Sequence, residues 1–210
     1  MVISYMGGEC FKITQGDLTL VFNPPSKDSE LKISRFGSDI VLVSLQHKDF
    51  NGIENVSFGE REPFVILGPG EYEVKDTVIR GFASDSHYGG TRGVNTLYSV
   101  FLDGITLCFL GALSSAALPP AAKQEFDNID ILFLPIGGDG VLTYAESYKL
   151  AVQLEPKIII PMHYGSIGQQ GALKHFLKEA GVEDLKPTEK LIVKKKDLED
   201  KEGEVVVLLT

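Results

Sequence analysis

Ile40-Val41-Leu42-Val43-Ser44-Leu45-Gln46-His47-Lys48-Asp49-Phe50-Asn51-Gly52-Ile53 opens as a continuous apolar run and closes as a polar loop. An unbroken apolar run bounded in this way suits a strand covered on both faces. The loop then carries His47 and Asp49, two residues apart. An imidazole and a carboxylate in a turn beyond a buried strand can converge on a divalent metal. On spacing alone the pair reads first as an ordinary polar loop. The same context recurs further along. His163 follows the strand-like run Lys157-Ile158-Ile159-Ile160, and His87 follows the run that ends at Phe82. Ends of sheets can gather such side chains from distant parts of a chain into one cleft. His175, between Lys174 and Phe176 in a helical stretch, reads as a packing residue.

Working outward, residues 2–5, 10–13 and 18–22 are short strand-like runs separated by Gly7-Gly8 and Gly16-Asp17. Residues 64–67, 71–74 and 77–82 add strands around the Gly68-Pro69-Gly70 turn. Residues 96–102 and 105–110 predict a hairpin across Asp103-Gly104. Further on, strands over 129–134 and 157–160 enclose a helix over 143–154. Thr143 and Glu146 have the spacing of a capping box, in which each side chain satisfies a free N–H at the helix start. Pro156 ends that helix. A second helix is predicted over 168–180, with Gly181 as its C-terminal cap. Residues 191–193 and 205–209 close the chain as strands. The mixed-charge connector 194–204 between them reads as a solvated hairpin tip. Strands and helices interleaved in this way predict an α+β architecture of layered sheets covered by helices, as a single domain over 1–210.

Composition narrows the function classes. The chain has 210 residues, with 20 Lys and Arg against 29 Asp and Glu, for a net charge of −9. Its 43% hydrophobic and 23% charged residues are those of a globular domain, not of a disordered or collagen-like chain. The acidic balance argues against nucleic acid as a partner, because that binding draws on Lys and Arg neutralising phosphates. Cys10 and Cys108 each sit in an apolar run and read as reduced core thiols. The N-terminal residues lack the basic and long apolar regions of a signal peptide. No run approaches the ~18 apolar residues of a membrane span. The expected compartment is the cytoplasm, without a membrane partner.

Together these motifs resemble the metallo-β-lactamase superfamily, in its branch of small, stand-alone, metal-dependent hydrolases related to ascorbate-phosphate lactonases. Ile3-Ser4-Tyr5-Met6-Gly7-Gly8-Glu9-Cys10-Phe11-Lys12-Ile13 is similar to the opening hairpin of that family. Leu20-Val21-Phe22-Asn23-Pro24-Pro25 matches a segment that usually carries Asp-Pro, with Asn23 in the Asp place. Gly68-Pro69-Gly70-Glu71-Tyr72-Glu73-Val74, Leu134-Pro135-Ile136-Gly137-Gly138 and Ile159-Ile160-Pro161-Met162-His163-Tyr164-Gly165 extend the match over nearly the whole length. The resemblance implies a four-layer αβ/βα sandwich with its cleft along one edge of the sheets.

The same resemblance implies a depleted metal site. The family signature Thr/Ser-His-x-His-x-Asp-His falls on Ser44-Leu45-Gln46-His47-Lys48-Asp49-Phe50. Leu45 and Phe50 replace its first and last histidines. Ala112, after Gly111, stands where a bridging Asp is implied. The implied ligands that survive are His47, Asp49, His87 and His163. One implied metal keeps His47 and His87, and the other keeps Asp49 and His163. A catalytic zinc normally takes three protein ligands plus a water whose pKa falls to about 7. A dinuclear centre is therefore not expected. Two readings stay open. One is a non-catalytic or impaired member of the family, whose remaining polar residues bond to one another. The other is a mononuclear hydrolase of a small ester, lactone or phosphorylated sugar. It would hold one zinc, manganese or nickel ion, with Asp49 as ligand or general base. Arg92, in a Gly-rich loop, and Tyr164 are candidates to contact a small-molecule substrate.

Overall fold

The computed structural model of the protein describes residues 1–59 and 62–210. The first strands are β1 (Val2–Gly7), β2 (Cys10–Gln15), β3 (Leu18–Phe22), β4 (Ile40–Leu42) and β5 (Phe64–Ile66). Next come β6 (Gly70–Val74), β7 (Thr77–Ser86), β8 (Gly93–Leu102), β9 (Ile105–Phe109), β10 (Ile131–Pro135) and β11 (Ile158–Met162). The last two, β12 (Leu191–Ile192) and β13 (Glu204–Val205), are short. The helices are α1 (Pro120–Glu125), α2 (Tyr144–Leu154) and α3 (Ala172–Glu179). One sheet has the order β12-β1-β2-β3-β4-β5, and the other β13-β11-β10-β9-β8-β7-β6.

Alternation along each strand sorts side chains between faces. Phe11, Ile13, Leu20, Phe22, Ile40 and Leu42 point from the first sheet into a shared core. Tyr98, Val100, Leu107, Phe109, Ile131, Phe133, Ile158 and Ile160 meet them from the second. Phe22 stacks on Phe109 with centroids 4.3 Å apart, and Phe11 meets Phe133 edge-on at 4.7 Å. The opposite face of the second sheet, with Leu97, Cys108, Leu110, Leu132, Leu134 and Ile159, packs with Leu150, Ala151, Phe176 and Leu177 of α2 and α3. On the first sheet the outer face of Cys10, Val21, Val41 and Val43 is covered differently. Ile33 and Phe36 from coil and Ile53 from a 3-10 turn close it, so the fourth layer here is not an α-helix.

Several local expectations meet the structure directly. Asp103 and Gly104 take positive φ of 52° and 74° and join β8 to β9 as a tight hairpin, with Leu102 opposite Ile105. At the start of α2 the Thr143 hydroxyl accepts from the Glu146 N–H at 3.4 Å. Glu146 returns the bond by accepting from the Thr143 N–H at 2.9 Å. Cys10 and Cys108 are free and buried. The second helix is shorter than its pattern, because Gly168 and Gly171 take φ of 76° and 79° and hold its expected first turn in a loop. The connector 194–204 is not a hairpin tip. β12 pairs with β1 in the first sheet and β13 with β11 in the second, so the connector crosses between sheets. It carries Leu198, fully buried, into the core. Among the described residues no helix is long and apolar enough to cross a membrane.

Candidate functional site

The loops that leave β4, β7, β9, β10 and β11 meet at one edge of the two sheets. Beyond β4 the chain bends at Ser44, and residues 48–52 are tied to the segment past β3, where Lys48 O accepts from the Ser26 N–H at 2.8 Å and Pro24 O from the Gly52 N–H at 2.7 Å. Asn23, just past β3, takes φ of 43°, a left-handed conformation that asparagine tolerates. Its side chain accepts from the Ser44 N–H at 2.7 Å and donates to Ser44 Oγ and to Glu9 Oε2, both at 2.8 Å. His163, just past β11, has φ of 61°, and its N–H donates to Gly8 O at 2.8 Å. That places its Nδ1 2.6 Å from Glu9 Oε1. Glu9, Asn23 and His163 are all 0% exposed. A Cβ on Gly137 would lie 2.0 Å from His163 O, so only glycine lets the β10 loop pass there. These residues form a buried polar chain from Ser44 through Asn23 and Glu9 to His163. Glu9 is not among the residues that the sequence singles out, and its one local signal is a carboxylate beside an apolar strand.

On the other side of His163 the surroundings are apolar. Leu45, Phe50, Ala112 and Val141 are buried as a cluster of their own, with Tyr88 and Ile167 packed against it. The replacements at Leu45, Phe50 and Ala112 therefore touch one another where donor atoms are implied by the resemblance. Tyr88 fills the middle. Its ring lies 4.9 Å from those of His47 and His163 and 5.0 Å from Phe50. Its hydroxyl donates to Asp49 Oδ2 at 2.8 Å, and Ser29 Oγ donates to Asp49 Oδ1 at 2.5 Å. Burial, and then the bond to Asp49, push the Tyr88 phenol far above its ordinary pKa, so it stays a donor. His47 turns Nδ1 toward the Asp49 carboxylate at 3.4 Å and accepts from the Asp49 N–H at 3.3 Å.

The candidate residues are thus brought together in part. His47, Asp49 and His163 border the Tyr88 ring. His87 is exposed, although it directly precedes Tyr88. Arg92 is exposed and its guanidinium grips Asp85 at 3.0 and 3.1 Å, away from the cluster. Tyr164 packs on Tyr5 at 5.7 Å and donates to Leu208 O at 3.3 Å, and burial pushes its phenol up to about 12. The donor set does not fit a metal ion. Both Asp49 oxygens already accept hydrogen bonds, and His163 commits Nδ1 to Glu9. Among the described residues no three His, Cys, Asp or Glu side chains gather into a group that could hold a metal. Among the described residues one buried side-chain polar atom remains over: His163 Nε2 has no hydrogen-bond partner.

Comparison with known proteins places this site in a family. A family model described as a beta-lactamase superfamily domain matches residues 2–163. A UPF0173 metal-dependent hydrolase of Lysinibacillus sphaericus is 24% identical over 79% of this chain and 86% of its own length. A UPF0173 protein of Pyrococcus abyssi is 23% identical over 90% of this chain and 98% of its own. Among solved structures, a Thermotoga maritima protein proposed as a Zn-dependent hydrolase of the metallo-beta-lactamase superfamily is similar. It superposes with a TM-score of 0.75 at 28% identity, covering 99% of this chain and 97% of that one. The two face-to-face sheets, the cleft at their edge and these matches make the chain a member of the metallo-β-lactamase superfamily, in the branch of small stand-alone UPF0173 proteins.

Proposed function

We propose that this chain is a non-catalytic member of its family, a small-molecule binding protein whose cleft works without a metal. The observation that carries the reading is the packing of Leu45, Phe50 and Ala112 into one apolar cluster closed by Tyr88. Apolar side chains offer a cation no lone pairs. The surviving polar groups are also spent on each other, Asp49 on Ser29 and Tyr88, and His163 on Glu9. Free, buried Cys10 and Cys108 suit the reducing cytoplasm in which we place the protein. The partner we assign is a small molecule, not nucleic acid or a membrane.

A second reading, the mononuclear hydrolase of a small ester, lactone or phosphorylated sugar, has one observation in its favour. His163 Nε2 is buried and unpartnered while Glu9 holds Nδ1, which is how an outer carboxylate orients a metal-binding histidine. The two readings separate in a turnover assay. Purified protein is given zinc, manganese or nickel and a panel of lactones, esters and sugar phosphates. The binding reading expects no turnover above that of a His163→Ala control. Turnover with one of these metals that disappears in the control would establish the hydrolase.

A further inference from the structure

Tyr88 stoppers the inner cleft. Its ring meets those of His47 and His163 edge-on at 4.9 Å between centroids, and its hydroxyl is bonded to Asp49. A cavity of about 570 Å³ lies beside it, with Tyr88 and Asp49 in its wall but not His47, Phe50 or His163. A molecule in that cavity therefore meets Tyr88 and not His163. The turn that carries the ring is exposed from Gly89 to Arg92, and Gly89 and Gly90 take φ of 75° and 80°. Glycine adopts that conformation without strain but brings no side chain to anchor it. The grip comes from two other loops. Ser114, beyond β9, accepts from the His87 N–H at 2.7 Å and donates to Gly140 O. Its own N–H donates to Asp85 O at 3.3 Å. Gly140, beyond β10, comes so near that a Cβ there would lie 2.6 Å from His87 O and 2.8 Å from Tyr88 Cα. The Leu142 N–H donates to Leu113 O at 2.9 Å and ties these two loops together. The same loops supply Ala112 and Val141 to the apolar cluster on which Tyr88 packs.

We propose that Ser114 is the latch of this stopper, a positioning residue that acts through the backbone of His87 and keeps Tyr88 seated. Its hydroxyl makes two bonds at once, one to the turn and one to the loop beyond β10. Without it the His87 N–H loses its acceptor, and the turn is no longer joined to that loop. The turn then opens by itself, at less cost than unfolding the sheets beneath it. An occupant of the inner cleft, whether an ion or an organic molecule, reaches His163 through that opening. The latch therefore governs access on either reading of the cleft and depends on neither.

The test reads how fast diethyl pyrocarbonate modifies each imidazole of the chelator-treated whole chain, mapped by mass spectrometry. His87 and His175 are exposed and serve as internal standards. His163 is 0% exposed and in wild type should react far more slowly than either. Tyr88→Ala should bring its rate close to theirs. Ser114→Ala should raise the rate at His163 roughly tenfold, the weight of about one hydrogen bond. Gly140→Ala, which pushes on the His87 carbonyl, should do the same by a separate route. Asp130→Asn lowers stability at the start of β10, away from these loops, and should leave the rate unchanged. A His163 rate in Ser114→Ala and Gly140→Ala equal to that of wild type would overturn the proposal. So would an equal rise in Asp130→Asn, because the effect would then be a general loss of stability. Rapid modification of His163 in wild type, or none in Tyr88→Ala, would show that Tyr88 is not the stopper and would overturn it too.

Discussion

Phe50 and Glu9 show how single residues decide the character of this cleft. Phe50 is fully buried, and Leu45 and Ala112 pack beside it. It therefore behaves as a core residue. Phe50→Ala should lower unfolding free energy by about 3–5 kcal/mol in urea denaturation, the usual loss for a buried aromatic. A change near zero would mean that the cluster contributes no packing. Glu9 is the partner of both His163 and Asn23. Glu9→Ala leaves both facing a void, and should cost about 3–5 kcal/mol by the same measurement. Glu9→Gln keeps the shape and one acceptor, and should cost clearly less. At this scale the sequence was legible only in part. The lost donors could be read from Leu45, Phe50 and Ala112, because a side chain without lone pairs announces itself. Glu9 could not, since its partner lies 154 residues away. Nor could the choice between His87 and Tyr88, where one residue of rotation in a 3-10 turn decides which ring faces inward.

Among elements, the loops beyond β10 and β11 hold His163 in place. Gly137 approaches His163 so closely that any side chain displaces it. Gly137→Ala should destabilise the fold by about 1–3 kcal/mol and shift the His163 ring resonances in NMR spectra. Unchanged stability would show that the loops give way freely. Thr143→Ala, at the start of α2, removes a cap of ordinary strength and should cost about 1 kcal/mol without moving those resonances. The contrast separates loss of a helix end from distortion of the site. α2 and the β8–β9 hairpin were legible because their signals are local: a capping pair three residues apart and an Asp-Gly turn. The path of 194–204 was not. Each flanking strand pairs with a strand of a different sheet, and no local pattern encodes that choice.

On the scale of the whole molecule, the sheet is tied at the end opposite the cleft. Asp130 precedes β10 and accepts from Lys157 Nζ at 2.8 Å, Lys195 Nζ at 2.7 Å and the Thr106 N–H at 2.8 Å. Burial alone raises its carboxyl pKa, but these bonds outweigh burial and hold it below the ordinary value. A carboxylate depressed in the folded state stabilises fully above its unfolded pKa, near 4, and that gain is lost as pH falls through the lower folded value. Asp130→Asn should therefore cost roughly 1–3 kcal/mol at neutral pH, and the difference from wild type should shrink below about pH 4. A difference independent of pH would mean that the carboxylate charge is not what the clamp uses. The layered fold was legible through period-two alternation and the family motifs. The coil that replaces a helix over the first sheet was not, because Ile33 and Phe36 show no periodic pattern. The most direct check on a metal-free cleft is the native mass of protein purified without chelator and then exposed to excess zinc. A cleft that holds no metal gives the mass of the bare 210-residue chain throughout. One or two tightly held ions per chain, removed only by chelator and lost in His163→Ala, would contradict it.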